Sequence, residues 1–491
     1  VVSGYFAPRE DVWRQPIYRN VWSQLETLGD AELAGLAAPR TLIIEASPHP
    51  DVPGPPPERE GRRGAAPGGI TTPRIEIVRA EFERAREEFQ RSGAAGRLHL
   101  VEGSVGSTEA VTLFGRALDP QISLASIQQP LRDQRSGFDP TARQRRQFLQ
   151  LIEFTLRLVR QSEFTRRSFF AKADASDLQN WEGGTEPYRR IFWEEVIGKM
   201  PPPSEPLVPR SRRIYDTAAF TGYEVVLPVW ADVFAYGILL VPKDLRPGER
   251  RPVVVCQHGL EGRPQDVIAP PDRRTEEVYG RFGAKLAEQG FVVYAPQNPY
   301  IGQHNFRMLL RKSHPQKLSL FSFIIGQHQR TLDWLASLPF VDSARIGFYG
   351  LSYGGKTAMR VPAVLPQYAL SICSADFNEW IWKITDLDHP FSYMYTVEYD
   401  MLEFNLGNTF NYAEMAALIA PRPFMVERGH RDGVSIDEWV AYEYARVRRL
   451  YADLKIPGRT RIEFFDGPHQ IRGVGTFEFL HEHLRWPRRG R

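Results

Sequence analysis

Between residues 251 and 465 short apolar runs alternate with amphipathic stretches, and this alternation constrains the fold more than any other feature. Val253-Val-Val-Cys-Gln257, Phe291-Val-Val-Tyr-Ala295, Arg345-Ile-Gly-Phe-Tyr349, Tyr368-Ala-Leu-Ser-Ile-Cys373, Arg422-Pro-Phe-Met-Val426 and Arg461-Ile-Glu-Phe-Phe465 are too short for helices and read as strands. The residues from Glu276 to Gln289 and from Phe323 to Leu338 carry helical periodicity. Strands that are apolar on both faces, separated by helices, form a mostly parallel sheet covered on both sides. Ahead of them, Arg213-Ile-Tyr-Asp-Thr217, Tyr223-Glu-Val-Val-Leu-Pro228 and the run from Val233 to Pro242 alternate with period two. They read as an antiparallel start to the same sheet. The expected class is α/β.

One strand runs straight into a chemical signal. After Arg345 to Tyr349 comes Gly350-Leu-Ser-Tyr-Gly354, then a small-residue helix start. This G-x-S-x-G spacing is that of a nucleophile elbow, a turn so tight that the residues two positions either side of the serine must lack side chains. Ser352 then heads a helix, where backbone N–H groups and the helix dipole favour developing negative charge. The same residues satisfy G-x-x-x-x-G-K-T from Gly350 to Thr357, a phosphate-binding loop. Both motifs need a strand before and a helix after, so the rest of the chain decides between them.

In an open parallel sheet the working residues lie beyond the carboxyl ends of the strands. His258-Gly-Leu-Glu-Gly262 follows the first apolar strand and can present the Leu260 N–H above Ser352, which with the Tyr353 N–H makes a two-donor oxyanion hole. Glu427-Arg-Gly-His-Arg-Asp-Gly433 offers Asp432 as the carboxylate that orients a histidine, with Glu427 at the strand end as the alternative. Asp466-Gly-Pro-His-Gln470 places His469 on a loop after the last strand. Ser352, Asp432 and His469 follow one another in hydrolase order. Each loop also has a plainer reading: a glycine turn, a turn aspartate, a surface histidine. A phosphate-loop enzyme normally has its loop after an early strand, and that reading leaves His258-Gly, Asp432 and His469 unexplained. Asp376 is the candidate metal ligand of that reading. On the hydrolase reading Lys356 and Thr357 are simply the first turn of the helix. Trp380, Trp382, Tyr393 and Tyr395 follow the next strand, where they either line an acyl or sugar site or fill the core.

The chain also repeats itself. Residues 31–47 align without gaps on 413–429 with eight of seventeen positions identical, and residues 78–89 and 98–103 match 440–451 and 462–467. Each copy reads helix, strand, loop, helix, strand, loop, helix. The first copy has no elbow, Val105 stands where His469 stands in the second, and Asp51 near the place of Asp432 has neither base nor nucleophile beside it. Residues 1–119 are therefore expected to be a partial, non-catalytic half-domain with a structural or interface role, docked within the chain. Because that copy lacks whatever precedes the half-domain in the second, a chain cut inside the first of two tandem domains is expected. Pro48 to Pro73 reads as an exposed loop insertion, residues 120–204 as a helical connector ending in a proline-rich link, and 205–491 as the catalytic domain.

Sixty-two basic residues face 59 acidic ones, and the 53 arginines among them are spread along the chain, so nothing points to nucleic acid. No apolar run is long enough for a membrane helix. Cys256 and Cys373 sit in strand-like runs and read as free, buried thiols. His481 and His483, two apart on a helix, make a poor metal pair, and no metal site is expected. The chain begins at Val1 and carries no leader signal, which leaves its compartment open.

Taken together, residues 205–491 resemble the α/β-hydrolases of the dienelactone hydrolase and acetyl-xylan-esterase-like group. The resemblance rests on His258-Gly259, Gly350-Leu-Ser-Tyr-Gly354, Gly429-His-Arg-Asp432 and Gly467-Pro-His469. It implies an eight-stranded, mostly parallel sheet, a Ser-His-Asp triad, no cofactor, and a small-molecule or carbohydrate-borne ester as substrate. Dienelactone hydrolases proper use a cysteine nucleophile, and the serine here moves the expectation to carboxylic esters. The rival readings are a peptidase of prolyl-oligopeptidase type, which lacks its usual propeller here, and a hydrolase-fold scaffold without activity.

Overall fold

The computed structural model describes residues 1–55, 60, 66–124, 132, 134–398 and 403–488. The chain divides into two compact units: Val1–Arg157 with Arg311–Lys317, and Leu158–Leu310 with Leu318–Arg491.

The first unit holds a parallel three-stranded sheet of β1 (Val2–Ser3), β2 (Leu42–Ala46) and β3 (Leu98–Glu102), in the order β1-β2-β3. Consecutive residues of a strand face opposite sides. Accordingly Ile44 packs with Phe6, Ala31, Val78, Ala85 and Phe89 on one face, and Ile43 with Val101 and Ala110 on the other. The helices Asp30–Gly35, Ile75–Arg91 and Thr108–Leu118 supply most of those partners. Of the expected loop from Pro48 to Pro73, residues 56–59 and 61–65 lie outside the described residues. The remainder holds no helix or strand beyond one antiparallel bridge, Val52 to Ile70.

The second unit is built on a sheet of nine strands among the described residues. These are β4 (Arg210–Asp216), β5 (Phe220–Trp230), β6 (Val233–Pro242), β7 (Arg251–Gln257), β8 (Val292–Pro296), β9 (Val341–Leu351), β10 (Tyr368–Ser374), β11 (Phe424–Gly429) and β12 (Thr460–Phe465). Their order is β12-β11-β10-β9-β7-β8-β6-β5-β4. The strands from β7 onward run parallel, and β4 to β6 join antiparallel at one edge. This is the mixed α/β architecture expected, with one strand more than the resemblance implies, because the whole period-two segment joins the sheet. Every residue of β7 is buried. Val253 and Val255 pack into one core and Val254 and Cys256 into the other.

Two local expectations are corrected. The single helix over Glu276–Gln289 is two helices, Arg273–Tyr279 and Phe282–Glu288. Gly280, at φ +56°, caps the first in the left-handed conformation, its N–H donating to the Glu276 carbonyl (2.7 Å). The strand expected over Arg422–Val426 runs from Phe424 to Gly429, so Glu427 lies inside it rather than at its end.

The repeated segments correspond in their side chains as well as in their element order. Glu81 accepts from the Ala31 N–H (2.8 Å) and pairs with Arg84, which also holds Glu32. In the other copy Glu443 accepts from the Ala413 N–H (2.8 Å) and pairs with Arg446, which also holds Glu414. In β1, Ser3 pairs with Glu45 and its hydroxyl donates to that carboxylate; in β10, Ser374 does the same to Glu427.

Candidate active site

From β7 the chain moves one way to β8, then crosses back to β9 on the other side of β7. Such a reversal opens a crevice beyond the carboxyl ends of the two strands that flank it, where α/β sheets place their ligands. The turns after β7 and β9 are those carrying His258-Gly259-Leu260 and Ser352.

Ser352 has φ 60° and ψ −119° and heads the helix Tyr353–Val364. A non-glycine residue held there is strained, and such strain persists only where the surroundings enforce it. Here the Ser352 N–H donates to the Ser374 carbonyl (2.9 Å), which ties the turn to the end of β10. A Cβ on Gly354 would lie 2.5 Å from the Gln257 carbonyl oxygen, and one on Gly350 would run into the Gly354 carbonyl. The two glycines are therefore required by close backbone approach, as the tight turn demands.

The turn after β7 passes over the serine. A Cβ on Gly259 would lie 3.1 Å from the Ser352 Cβ. Three groups fix this turn: the Gly259 N–H donates to Tyr279 Oη (2.9 Å), the Tyr300 hydroxyl donates to the His258 carbonyl (2.7 Å), and the Glu261 N–H donates to the Tyr300 carbonyl (3.1 Å). His258 is wholly buried. Its Nδ1 donates to the Gly259 carbonyl (2.8 Å), while Nε2 faces the Asn298 N–H and the Gln297 amide. Burial pulls its pKa down to about 4, so the ring is neutral and acts as a brace for the turn. The Leu260 N–H has no acceptor among the described residues. The Tyr353 N–H heads the helix.

His469 Nδ1 lies 3.0 Å from each carboxylate oxygen of Asp432. Their two loops are pressed together: the His430 N–H donates to the Phe465 carbonyl (2.9 Å) and the Arg431 N–H to the Gly467 carbonyl (3.0 Å). A Cβ on Gly429 would lie 2.5 Å from the carbonyls of both Gly467 and Pro468. The Asp432 side chain is fully enclosed, whereas that of His469 is 29% exposed. The acid is thus hidden behind a base that reaches the surface. Glu427, the other acid considered, faces elsewhere. It accepts from Ser374 Oγ (2.7 Å), Tyr349 Oη (2.8 Å), the Gly473 N–H (3.0 Å) and Thr476 Oγ1 (3.3 Å), and burial raises its pKa.

The aromatics after β10 divide. Trp380 is wholly buried against Tyr393 and Tyr412, so it fills the core rather than lining an open surface. Trp382 is half-buried, stacked on Tyr442 and edge-on to Trp439. Tyr393 is half-buried, and its hydroxyl accepts from Lys356 Nζ (2.6 Å). Lys356 itself is buried over the Tyr353 ring, and burial lowers its pKa. Thr357 Oγ1 donates to the Tyr353 carbonyl (2.9 Å) and accepts from Asn298 (3.1 Å). The lysine and threonine of the phosphate-loop motif are thereby engaged inside the protein, and Asp376 accepts from the Tyr412 hydroxyl.

Sequence reasoning missed the groups that brace the site. Tyr279, Tyr300 and Asn298 stand in no motif, and Arg428, which reaches Asp432, is one arginine among 53. Among the described residues no group of three or more His, Cys, Asp or Glu could hold a metal ion, and no helix is long and apolar enough to cross a membrane. Both cysteines are free and buried.

No family model matches the chain. Among solved structures, it is similar to a glucuronoyl esterase from Solibacter usitatus at 15% identity, covering 64% of this chain and 95% of that one, with a TM-score of 0.49. A CE15 glucuronoyl esterase from Teredinibacter turnerae T7901 is 14% identical over 63% of this chain and 85% of that one, with a TM-score of 0.46. An acetyl xylan esterase from Paenibacillus sp. R4 is 15% identical over 64% of this chain and 96% of that one, with a TM-score of 0.41.

Proposed function

We propose that the second unit is a serine hydrolase that cleaves carboxylic esters, with a small-molecule or carbohydrate-borne ester as its substrate. The observation that carries this reading is the pairing of His469 Nδ1 with Asp432, at 3.0 Å to each oxygen, on loops beyond the carboxyl ends of the sheet that also carries the strained Ser352 turn. With Nδ1–H engaged by the carboxylate, Nε2 is the nitrogen left to accept a proton.

Ser352 Oγ attacks the ester carbonyl carbon as His469 Nε2 takes its proton. Asp432 keeps the imidazole in the required tautomer and stabilises its charged form. The Leu260 and Tyr353 N–H groups receive the carbonyl oxygen as it becomes an oxyanion. Collapse of the tetrahedral intermediate breaks the bond to the alcohol oxygen, which takes the proton from His469. A water deprotonated by His469 then attacks the acyl-serine, and the acid leaves.

The first unit is assigned no catalytic role, since it has no counterpart of the Ser352 turn and Val105 stands where His469 stands in the second copy. The test is p-nitrophenyl acetate hydrolysis by the wild type, Ser352→Ala, His469→Ala and the double variant. Each single change is expected to lower kcat on the order of 10⁴-fold or more, and the double variant to be no worse than the singles, because the residues act as a unit. Wild-type turnover that survives Ser352→Ala would end this reading.

A further inference from the structure

Asp432 meets a buried guanidinium that the mechanism above does not use. Arg428, on β11, is 2% exposed. Its Nη1 is 3.3 Å from Asp432 Oδ2, and its Nη2 donates to the carbonyls of Asp432 (3.2 Å) and Ser435 (2.8 Å). Its Nε donates to Asp437 Oδ1 (3.1 Å). One planar fork therefore grips the loop from Gly429 to Asp437 at four acceptors, which a lysine cannot reproduce. The other oxygen of Asp437 lies 2.6 Å from His430 Nδ1, whose exposed ring stacks on Phe464. Burial pushes the Asp437 carboxyl up, and the hydrogen bonds from His430 and Arg428 more than offset this, leaving it below its ordinary value.

The two Asp432 oxygens are thus held separately, Oδ1 by the Val434 N–H (3.1 Å) and Oδ2 by Arg428, so the carboxylate plane cannot turn away from His469. Other charges face this pair. Lys383, on the helix Trp380–Thr385, donates to the Val434 carbonyl (2.5 Å), and its pKa is lowered to about 8 by burial and by Lys356. Asp376 also faces Lys383 and Lys356. Arg431 and Asp466 form an exposed ion pair on the two loops (2.8 Å).

We propose that Arg428 is a positioning residue of this site: its guanidinium locks Asp432 onto His469 Nδ1 and shares the carboxylate charge, setting the pH range in which His469 serves as base. The proposal rests on the Ser352-His469-Asp432 reading. Removing the fixed positive charge leaves the pair more negative and holds the proton on the imidazole more tightly. His469 then becomes available as a base only at higher pH, and the acid limb of any rate that depends on it moves upward.

The test is the rate of fluorophosphonate labelling at Ser352, followed from acid to mildly alkaline pH, with melting temperatures taken alongside. For Arg428→Gln a slower plateau and an acid limb displaced to higher pH are expected. Arg428→Lys keeps the charge but loses the fork, so its plateau falls while its limb stays near that of the wild type. A folded Arg428→Gln variant whose limb does not move overturns the proposal. Should that variant fail to fold, a full shift of the limb in Arg428→Lys overturns it equally. A folded wild-type protein that does not label defeats the triad reading itself, which separates the two failures.

Discussion

A methyl group placed on Gly354 should damage both the stability and the reactivity of the second unit. The Cβ of an alanine there would lie 2.5 Å from the Gln257 oxygen and 2.8 Å from the His258 oxygen. A carbon–oxygen contact needs about 3.3 Å, so the two backbones must separate by roughly 0.8 Å. Neither is free to do so. Gln257 ends β7, which is paired with both β8 and β9, and the helix behind Gly354 is buried along its length. Overpacking of this kind costs about 1–3 kcal/mol. The displacement also falls between Ser352 and the turn that carries the Leu260 N–H, where a shift near 1 Å costs on the order of 10²-fold in rate. Urea unfolding gives the first quantity and fluorophosphonate labelling the second. Gly407→Ala is the control: nothing lies within 4 Å of the added Cβ, and it should change stability by less than about 1 kcal/mol. If Gly354→Ala unfolds at the wild-type urea midpoint and labels at the wild-type rate, the close approach of the two turns is wrong.

Three further outcomes follow from the buried groups. Asp432→Asn should slow labelling about 10⁴-fold, whereas Glu427→Gln should leave it close to wild type; the reverse order would make Glu427 the acid. Burial, reinforced by Glu443, raises the Glu379 carboxyl from 4.5 to about 8. The native state then keeps a proton that the unfolded chain has lost, so this group's contribution to stability falls as pH rises between those values. Glu379→Gln should accordingly gain in melting temperature relative to wild type as pH increases, and parallel curves would contradict this. Cys256 and Cys373 are wholly buried with raised pKa values, so a disulfide reagent should modify neither until the protein unfolds; rapid modification of native protein would refute their burial.

The parts of the site that were legible in the sequence are those where backbone geometry forbids most residues. Gly350 and Gly354 announce the serine turn because no side chain fits beside it. Asp432 and His469 stand out because loops after apolar strands have fixed places in a parallel sheet. The Glu427 alternative stayed open because a strand end was placed three residues too early, and the buried hydroxyls of Ser374 and Tyr349 that engage Glu427 follow no spacing rule. Trp380 shows the opposite limit: an aromatic after a strand has the same pattern whether it faces a cleft or Tyr412. The break at Gly280 was hidden because Val278 and Tyr279 before it and Phe282 and Leu286 after it join one apolar cluster. Arg428 could not be singled out, since its role depends on carboxylates four and nine positions away that meet only once the loop is folded. The repeat was visible from Ala31 onward, but β1 contributes only Val2 and Ser3, too few residues for a sequence match to carry.

The most direct measurement is fluorophosphonate labelling of the wild type and of Ser352→Ala, both shown to be folded, with the modified peptide identified by mass. Label on Ser352 in the wild type and none in the variant is the predicted result. No label on the wild type, or label that persists in Ser352→Ala, would contradict an activated serine at the turn after β9.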